Sequence, residues 1–307
     1  MVLITKRNFT FKAFLVLVII SIVGTLQSCQ KEVHIKLNSA PSQLVVEGGI
    51  QTGTPPIVLL TSSVSFFSSI DLSSLQDIFV HNAVVKVSDG TDTVTLKELS
   101  FDTGSSGSKF YVYTLDPGSS LMLGQVNKFY TLTIQYNGQT YTSVTKIPTP
   151  KAVDTMWIDS PLFSSPRVPK GALQLFATYT DPDTPGNYVR YFTKRNSEQY
   201  FAGDNVYTDQ LINGQTVPKI ELFAGYNKTQ DANGDSLSYF YPGDTVTLNW
   251  CMIDKGVFDF WNTLNFAEQS TGNPFASPIN VKSNIKGGAL GVWAGYGSST
   301  RTLIIPR

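Results

Sequence analysis

Cys29, Cys251, His34 and His81 are all the thiol and imidazole chemistry this chain of 307 residues offers. A catalytic thiolate at Cys251 would need a base beside it to lower its pKa, and only the two histidines are available. Cys251 also lies within the apolar run of residues 246–253, so a buried core thiol behaving as a small hydrophobe is expected there. A serine triad would have to use His81, and no Gly-x-Ser-x-Gly elbow is present. Histidines or cysteines at zinc-motif spacing are missing, as are phosphate-loop and dinucleotide fingerprints. Asp231, Asn233 and Asp235 alternate like the opening ligands of a calcium loop. Ser236 stands where such a loop has glycine and Pro242 where it has a bidentate glutamate, so a polar turn at Asn233-Gly234 is the simpler expectation. A glycoside hydrolase needs only two acids at the right separation, which spacing along the chain does not show. These residues assign no catalytic position, no metal ligand and no cofactor.

The amino-terminal residues carry a different chemistry. Lys6, Arg7 and Lys12 precede an apolar run over residues 13–23, and no acidic residue occurs before Glu32. That pattern fits a secretory leader, and the run is shorter than the ~20 residues a membrane span requires. It ends in Leu26-Gln27-Ser28-Cys29, which resembles the lipobox of bacterial lipoproteins: an aliphatic residue three before the thiol, a small one just before it, then the sulfur that accepts lipid. Residues 1–28 are therefore expected to be removed, Cys29 to be lipidated, and residues 29–43 to tether the protein to a membrane. An ordinary leader with Cys29 incidental is the alternative. Lipid on Cys29 would leave Cys251 without a disulfide partner. Losing Lys6, Arg7 and Lys12 from balanced totals of 23 basic and 23 acidic residues gives a net charge of about −3. With no cluster of Lys or Arg, nucleic acid is excluded as a partner.

The elements that must position any site read as mainly β. Over residues 44–148, short β-branched and aromatic runs are separated by Gly, Pro, Asn and Ser, which predicts antiparallel strands at residues 44–50, 56–60, 83–87 and 93–98. Asn137-Gly138 between the alternating segments 130–136 and 139–145 predicts a two-residue hairpin. An immunoglobulin-like β-sandwich over residues 44–148 is the expected fold. Its Ser-rich insert at residues 61–79 is either a functional loop or a cover for one end of the sandwich. Prolines at 148 and 150 mark a boundary, beyond which residues 151–307 form a second β-rich domain. Val257, Phe260, Trp261 and Leu264 recur at helical steps after Asp254, giving that domain one amphipathic helix with Asp254 as N-cap. Phe66, Phe67, Trp157 and Trp293 are candidate flat faces for a sugar or peptide, although core packing accounts better for any one of them.

Several motifs are more specific. Leu44-Val45-Val46-Glu47-Gly48, Asn82-Ala83-Val84-Val85-Lys86-Val87, Pro117-Gly118, the stretch from Asp181-Pro182 to Asn187-Tyr188 and Gly243-Asp244-Thr245-Val246 lead to a C-terminal signature. It comprises Gly272-Asn273-Pro274-Phe275, Ser283-Asn284-Ile285 and Gly287-Gly288-Ala289-Leu290-Gly291-Val292-Trp293-Ala294-Gly295-Tyr296. Together they resemble the lipoprotein family called domain of unknown function 4249, typical of the Bacteroidota. The resemblance implies no catalytic residues. It implies an outer-membrane or cell-surface lipoprotein, non-enzymatic, encoded beside TonB-dependent transporters and serving one as an accessory or ligand-binding partner. A surface glycan hydrolase using a carboxylate pair, and a structural or adhesive envelope protein, are the alternatives. Gly287, Gly288, Gly291 and Gly295 mark positive φ or a close approach of chains, and tight turns between C-terminal strands are the expected form.

Overall fold

Side chains of period two, buried inward and polar outward, set fourteen strands among the residues described by the computed structural model, which are 42–64, 74–102, 109–119, 121–162, 168–226, 237–271, 273, 277 and 279–307. They are β1 (Leu44–Gln51), β2 (Ile57–Ser62), β3 (Val84–Ser88), β4 (Thr93–Asp102), β5 (Lys109–Thr114), β6 (Phe129–Tyr136) and β7 (Gln139–Lys146), followed by β8 (Thr155–Asp159), β9 (Gln174–Thr180), β10 (Tyr188–Arg195), β11 (Phe201–Thr208), β12 (Thr216–Leu222), β13 (Thr245–Ile253) and β14 (Leu290–Ile304). A single helical turn, α1 (Ser74–Asp77), precedes β3, and one long helix, α2 (Lys255–Ser270), follows β13. The protein is mainly β with one amphipathic helix, as its periodicities require. Strands β5 and β11 were not expected, and β14 runs unbroken where several C-terminal strands joined by tight turns were expected. Thr61 and Ser62, placed in the insert by composition, belong to β2, and Thr61 bridges to Phe79.

Hydrogen bonds join eleven strands in the order β11-β10-β13-β14-β1-β2-β5-β4-β3-β6-β7, with a separate ladder β12-β9-β8. Two strands change partners along their length. β4 pairs through Thr93 to Leu96 with β3 and through Lys97 to Asp102 with β5. β14 runs parallel to β1 from Leu290 to Tyr296, then antiparallel to β13 from Gly297 to Ile304. Buried faces of β1, β2, β3, β6 and β7 meet in one apolar cluster that includes Val46, Leu60, Val85, Leu132, Ile134 and Trp293. A second cluster forms where β10 and β13 face β8, β9 and β12, with Trp250, Tyr191, Leu175 and Phe240 at its centre. Pro41–Arg307 gather as one compact unit.

The first half of β14 is buried on both faces, because Trp293 enters the first cluster while Val292 and Ala294 meet α2 on the other side. Asp254 caps that helix, its Oδ1 accepting from the Val257 amide at 3.0 Å. Its Oδ2 accepts from the Thr145 hydroxyl at 2.6 Å and the Lys146 amide at 3.2 Å, so the cap also fastens α2 to β7. Arg190 on β10 completes the attachment, with its guanidinium 3.3 Å from the centre of the Trp261 ring and donating to the Tyr296 hydroxyl at 3.1 Å.

The turn between β3 and β4 makes a pH-dependent contribution. Asp89 Oδ1 accepts from the amides of Thr91 and Asp92, and its Oδ2 accepts from the Lys128 ammonium. Lys128 first, then the two amides, hold this carboxyl down at about 2 against an ordinary 3.8. A depressed carboxyl stabilises the fold above its unfolded value and loses that contribution as pH falls from 3.8 through about 2. At a pair this open to solvent, screening keeps the contribution small. Asp89→Asn should therefore lower the urea midpoint at pH 7 and make little difference near the lower end of that window. An equal loss at both pH values would contradict the assignment.

Candidate functional site

A cleft of about 510 Å³ lies between the His81-Asn82 pair and the tip of the β6–β7 hairpin, residues 135–140. Each wall has a local cause. On the hairpin side, Asn137 and Gly138 take φ values of +49° and +74°, both central residues being left-handed as the tight turn requires. Tyr136 and Gln139 face each other across it. The Tyr141 hydroxyl donates to Gln139 Oε1 at 2.5 Å, which fixes the orientation of that amide.

The opposite wall is held by one phenol. Tyr113, buried on β5, accepts from the Ala83 amide at 3.2 Å, and its single proton has two acceptors in reach, the Val80 carbonyl at 2.9 Å and Glu98 Oε2 at 3.2 Å. Val80 and Ala83 flank the His81-Asn82 dipeptide, so this hydroxyl grips both of its ends. Asn82 sits at φ +61°, a left-handed conformation rare outside glycine and tolerated best by Asn and Asp. Burial above all, reinforced by the Glu98 carboxylate, pushes the Tyr113 phenol up to about 12, so it remains a donor at physiological pH. The other Glu98 oxygen, Oε1, pairs with His81 Nδ1. A carboxylate accepts only, so His81 Nδ1 is the donor in this pair. The edge of the imidazole packs on Tyr111, ring centres 4.7 Å apart.

A histidine oriented by a carboxylate is two parts of a nucleophilic triad, and the lining adds amides, a phenol and the Thr140 hydroxyl but no serine or cysteine. Among the described residues no group of three or more His, Cys, Asp and Glu is placed to hold a metal ion. Asp181 and Asp209 are two buried acids, each with one oxygen engaged by backbone amides. Asp209 Oδ2 accepts from the amides of Gly186 and Asn187 at 2.7 and 2.9 Å, and Asp181 Oδ2 from that of Gly214 at 3.4 Å. Burial first, with the Asp209 charge adding to it, raises Asp181 above its ordinary value. These contacts order the loop that carries the Asp181 to Tyr188 motif.

Of the residues singled out from the sequence for their chemistry, only His81 joins the cleft, beside Asn82 from the Asn82 to Val87 motif and Asn137-Gly138 of the hairpin turn. Cys29, His34, Phe66, Phe67, Asp231, Asn233 and Asp235 lie outside the described residues. Cys251 is fully buried, and burial pushes its thiol up to about 12. Trp157 is partly buried and stacks on Phe176 with ring centres 5.9 Å apart. Trp293 is a core residue with no face left for a ligand. Glu98 and Tyr113 carry no motif, since each is an ordinary strand residue whose role depends on which loop the fold sets beside it.

The glycine signature proves not to be a series of turns. Gly291 and Gly295 lie inside β14, where a Cβ would stand 1.8 Å from the Val46 carbonyl oxygen and 2.3 Å from that of Lys146. Gly287, at φ +101°, similarly abuts the Thr140 carbonyl. Asn284 accepts from the Trp293 amide and donates to its carbonyl, both at 2.9 Å, so a side chain completes the pairing of β14 there. The N-terminal motif of β1 and the C-terminal signature are thus parallel partners, and both build the joint between the first apolar cluster and the apolar contact under α2. No curated protein and no solved structure matches the chain. Over residues 30–302, a span that contains both partners of this joint, the chain matches the family described as Domain of unknown function (DUF4249), and it belongs to that family.

Proposed function

We propose that the protein is a lipoprotein anchored through Cys29 at the outer membrane or cell surface, acting by binding rather than by catalysis as an accessory of a TonB-dependent transporter. The observation that carries the binding reading is the cleft at His81 and the hairpin tip, lined by hydrogen-bonding groups and formed in advance by the Tyr113 and Asn137-Gly138 devices. The anchor is supported by the leader pattern and the position of Cys29. No described helix is long and apolar enough to cross a membrane.

Intact mass spectrometry of membrane-extracted protein should report a chain beginning at a diacylglyceryl-modified Cys29, and Cys29→Ser should shift the protein to the soluble fraction. Recovery of an unprocessed, unmodified Met1 terminus would refute the anchor. Pull-down of the wild-type lipoprotein from native membranes should bring a transporter with it. A carboxylate-pair glycan hydrolase is the alternative; sugar release from polysaccharide by purified protein would decide for it and against the binding reading.

A further inference from the structure

The end of the sheet at which the chain enters the fold is apolar. Leu44, the first residue of β1, pairs with Ser62 at the end of β2, and the Ser63 amide donates to the Gln43 carbonyl at 2.8 Å. The Ser62 amide in turn donates to the Ile78 carbonyl at 2.7 Å, and Phe79, bridged to Thr61, meets Phe110 edge-on with ring centres 5.7 Å apart. Phe110 near the start of β5 pairs with Phe101 near the end of β4, and directly opposed residues of an antiparallel pair share one face of the sheet. On the other side of β1, Val45 pairs with Leu290, the first residue of β14. Val64, Phe101, Phe110 and Leu290 are each between 40% and 51% exposed, so the rim turns all of these apolar side chains to solvent.

Single exposed apolar residues are ordinary on a protein surface. Phe129 is one, 59% exposed at the other end of the sheet, where β6 starts beside the turn that holds Asp89. What sets the rim apart is the chain that leads into it. Residues 29–43 join the candidate lipid acceptor Cys29 to Leu44, and a stretch of that length spans at most about 50 Å. A rim held that close to a bilayer meets it at an effective concentration on the order of millimolar, so a weak apolar contact suffices to seat it. Its charges select no anionic surface, because Lys109 stands opposite Asp102 in the β4–β5 pair. We propose that this rim rests on the bilayer that holds the Cys29 lipid, with Phe101 and Phe110 entering the boundary between headgroups and acyl chains. The proposal rests on the Cys29 anchor and adds the orientation of the folded part, with the β3–β4 turn directed away from the membrane.

The test uses full-length lipid-modified protein reconstituted into phosphatidylcholine vesicles whose acyl chains carry bromine near the headgroup. Phe110→Trp, and Phe129→Trp as control, keep an aromatic ring at an exposed position and add a reporter to the native tryptophans. The added emission of Phe110→Trp should be quenched several times more strongly than that of Phe129→Trp, and equally at low and high salt. Equal quenching of the two, no quenching of Phe110→Trp, or quenching that high salt abolishes overturns the proposal. Phe101→Ser with Phe110→Ser, its fold checked by urea midpoint, identifies a different occupant. A wild type that is dimeric in detergent beside a monomeric double variant would give the rim to a second copy. Loss of the transporter from the pull-down, with Phe110→Trp unquenched in vesicles, would give it to that protein, and either result overturns the membrane assignment. Mass spectrometry of the same preparation separates the two failures: lipid on Cys29 with an unquenched Phe110→Trp overturns the rim alone, whereas an unmodified Met1 terminus overturns the anchor and the rim together.

Discussion

Gly291→Ala is expected to cost about 3 to 5 kcal/mol, a large part of the stability of an ordinary domain, and to appear as a steep fall in folded yield and urea midpoint. Two separate effects combine at this position. Gly291 has φ +111°, where an L side chain is strained by itself, and its missing Cβ would sit 1.8 Å from the Val46 carbonyl oxygen. That oxygen belongs to the backbone of β1, so relief requires moving a strand rather than turning a side chain. Gly288→Ala provides the control. Its φ of +89° is equally unusual, but nothing lies within 4 Å, so only the conformational cost of about 1 kcal/mol remains. Equal midpoints for the two variants would show that close approach is not what Gly291 supplies.

Trp293→Ala should cost a similar amount, about 3 to 5 kcal/mol, by removing the largest side chain at the joint. The indole is fully buried and its Nε1 donates to the Tyr130 carbonyl at 2.9 Å, tying β14 to β6 across the first apolar cluster. Truncation would leave a cavity and remove the indole's bond to that carbonyl. The packing has a second half. Gly48, its partner in the β1 ladder, would place a Cβ 2.8 Å from the indole Cε3, so the glycine makes the space that the ring fills. Gly48→Ala should therefore destabilise the wild type and do much less harm once Trp293→Leu has removed the ring. A double-mutant cycle by urea denaturation should give a coupling of about 1 to 2 kcal/mol. Strict additivity would mean that the glycine and the indole do not fit each other as described.

The devices written locally were legible without the fold. Asn137-Gly138 dictates a left-handed two-residue turn, so the β6–β7 hairpin lies where its dipeptide puts it. Asp254 followed by an apolar stripe specifies a capped helix, and α2 begins at the next residue. Cys251 inside an apolar run is buried for the same reason its neighbours are. Each depends on interactions within about ten residues, the range over which turn chemistry and periodicity act.

Other features depend on partners brought from a distance. Gly287, Gly288, Gly291, Gly295 and Gly297 punctuate the chain like turns, yet the last three are accommodated inside one 15-residue strand because two other backbone segments, β1 at Val46 and the stretch from Lys146 to Pro148, pass against it. β5 follows a Ser- and Gly-rich stretch and precedes Pro117-Gly118, so its surroundings spoke for a loop, and only β4 and β2 on either side make it a strand. Asp254 announced its cap in the sequence, but not that its second oxygen would reach β7. The cleft belongs with these. His81, Glu98 and Tyr113 come from three places in the chain and gain a shared role only when β4 and β5 lie beside the loop after Val80. The sequence by itself determined the strand and helix types, the tight turn, the cap and the candidate lipid acceptor. Tertiary structure decided that β1 and β14 pair in parallel and where the cleft lies, because shape-matching such as Gly48 against Trp293 resides in contacts between segments and leaves no periodic trace in either one.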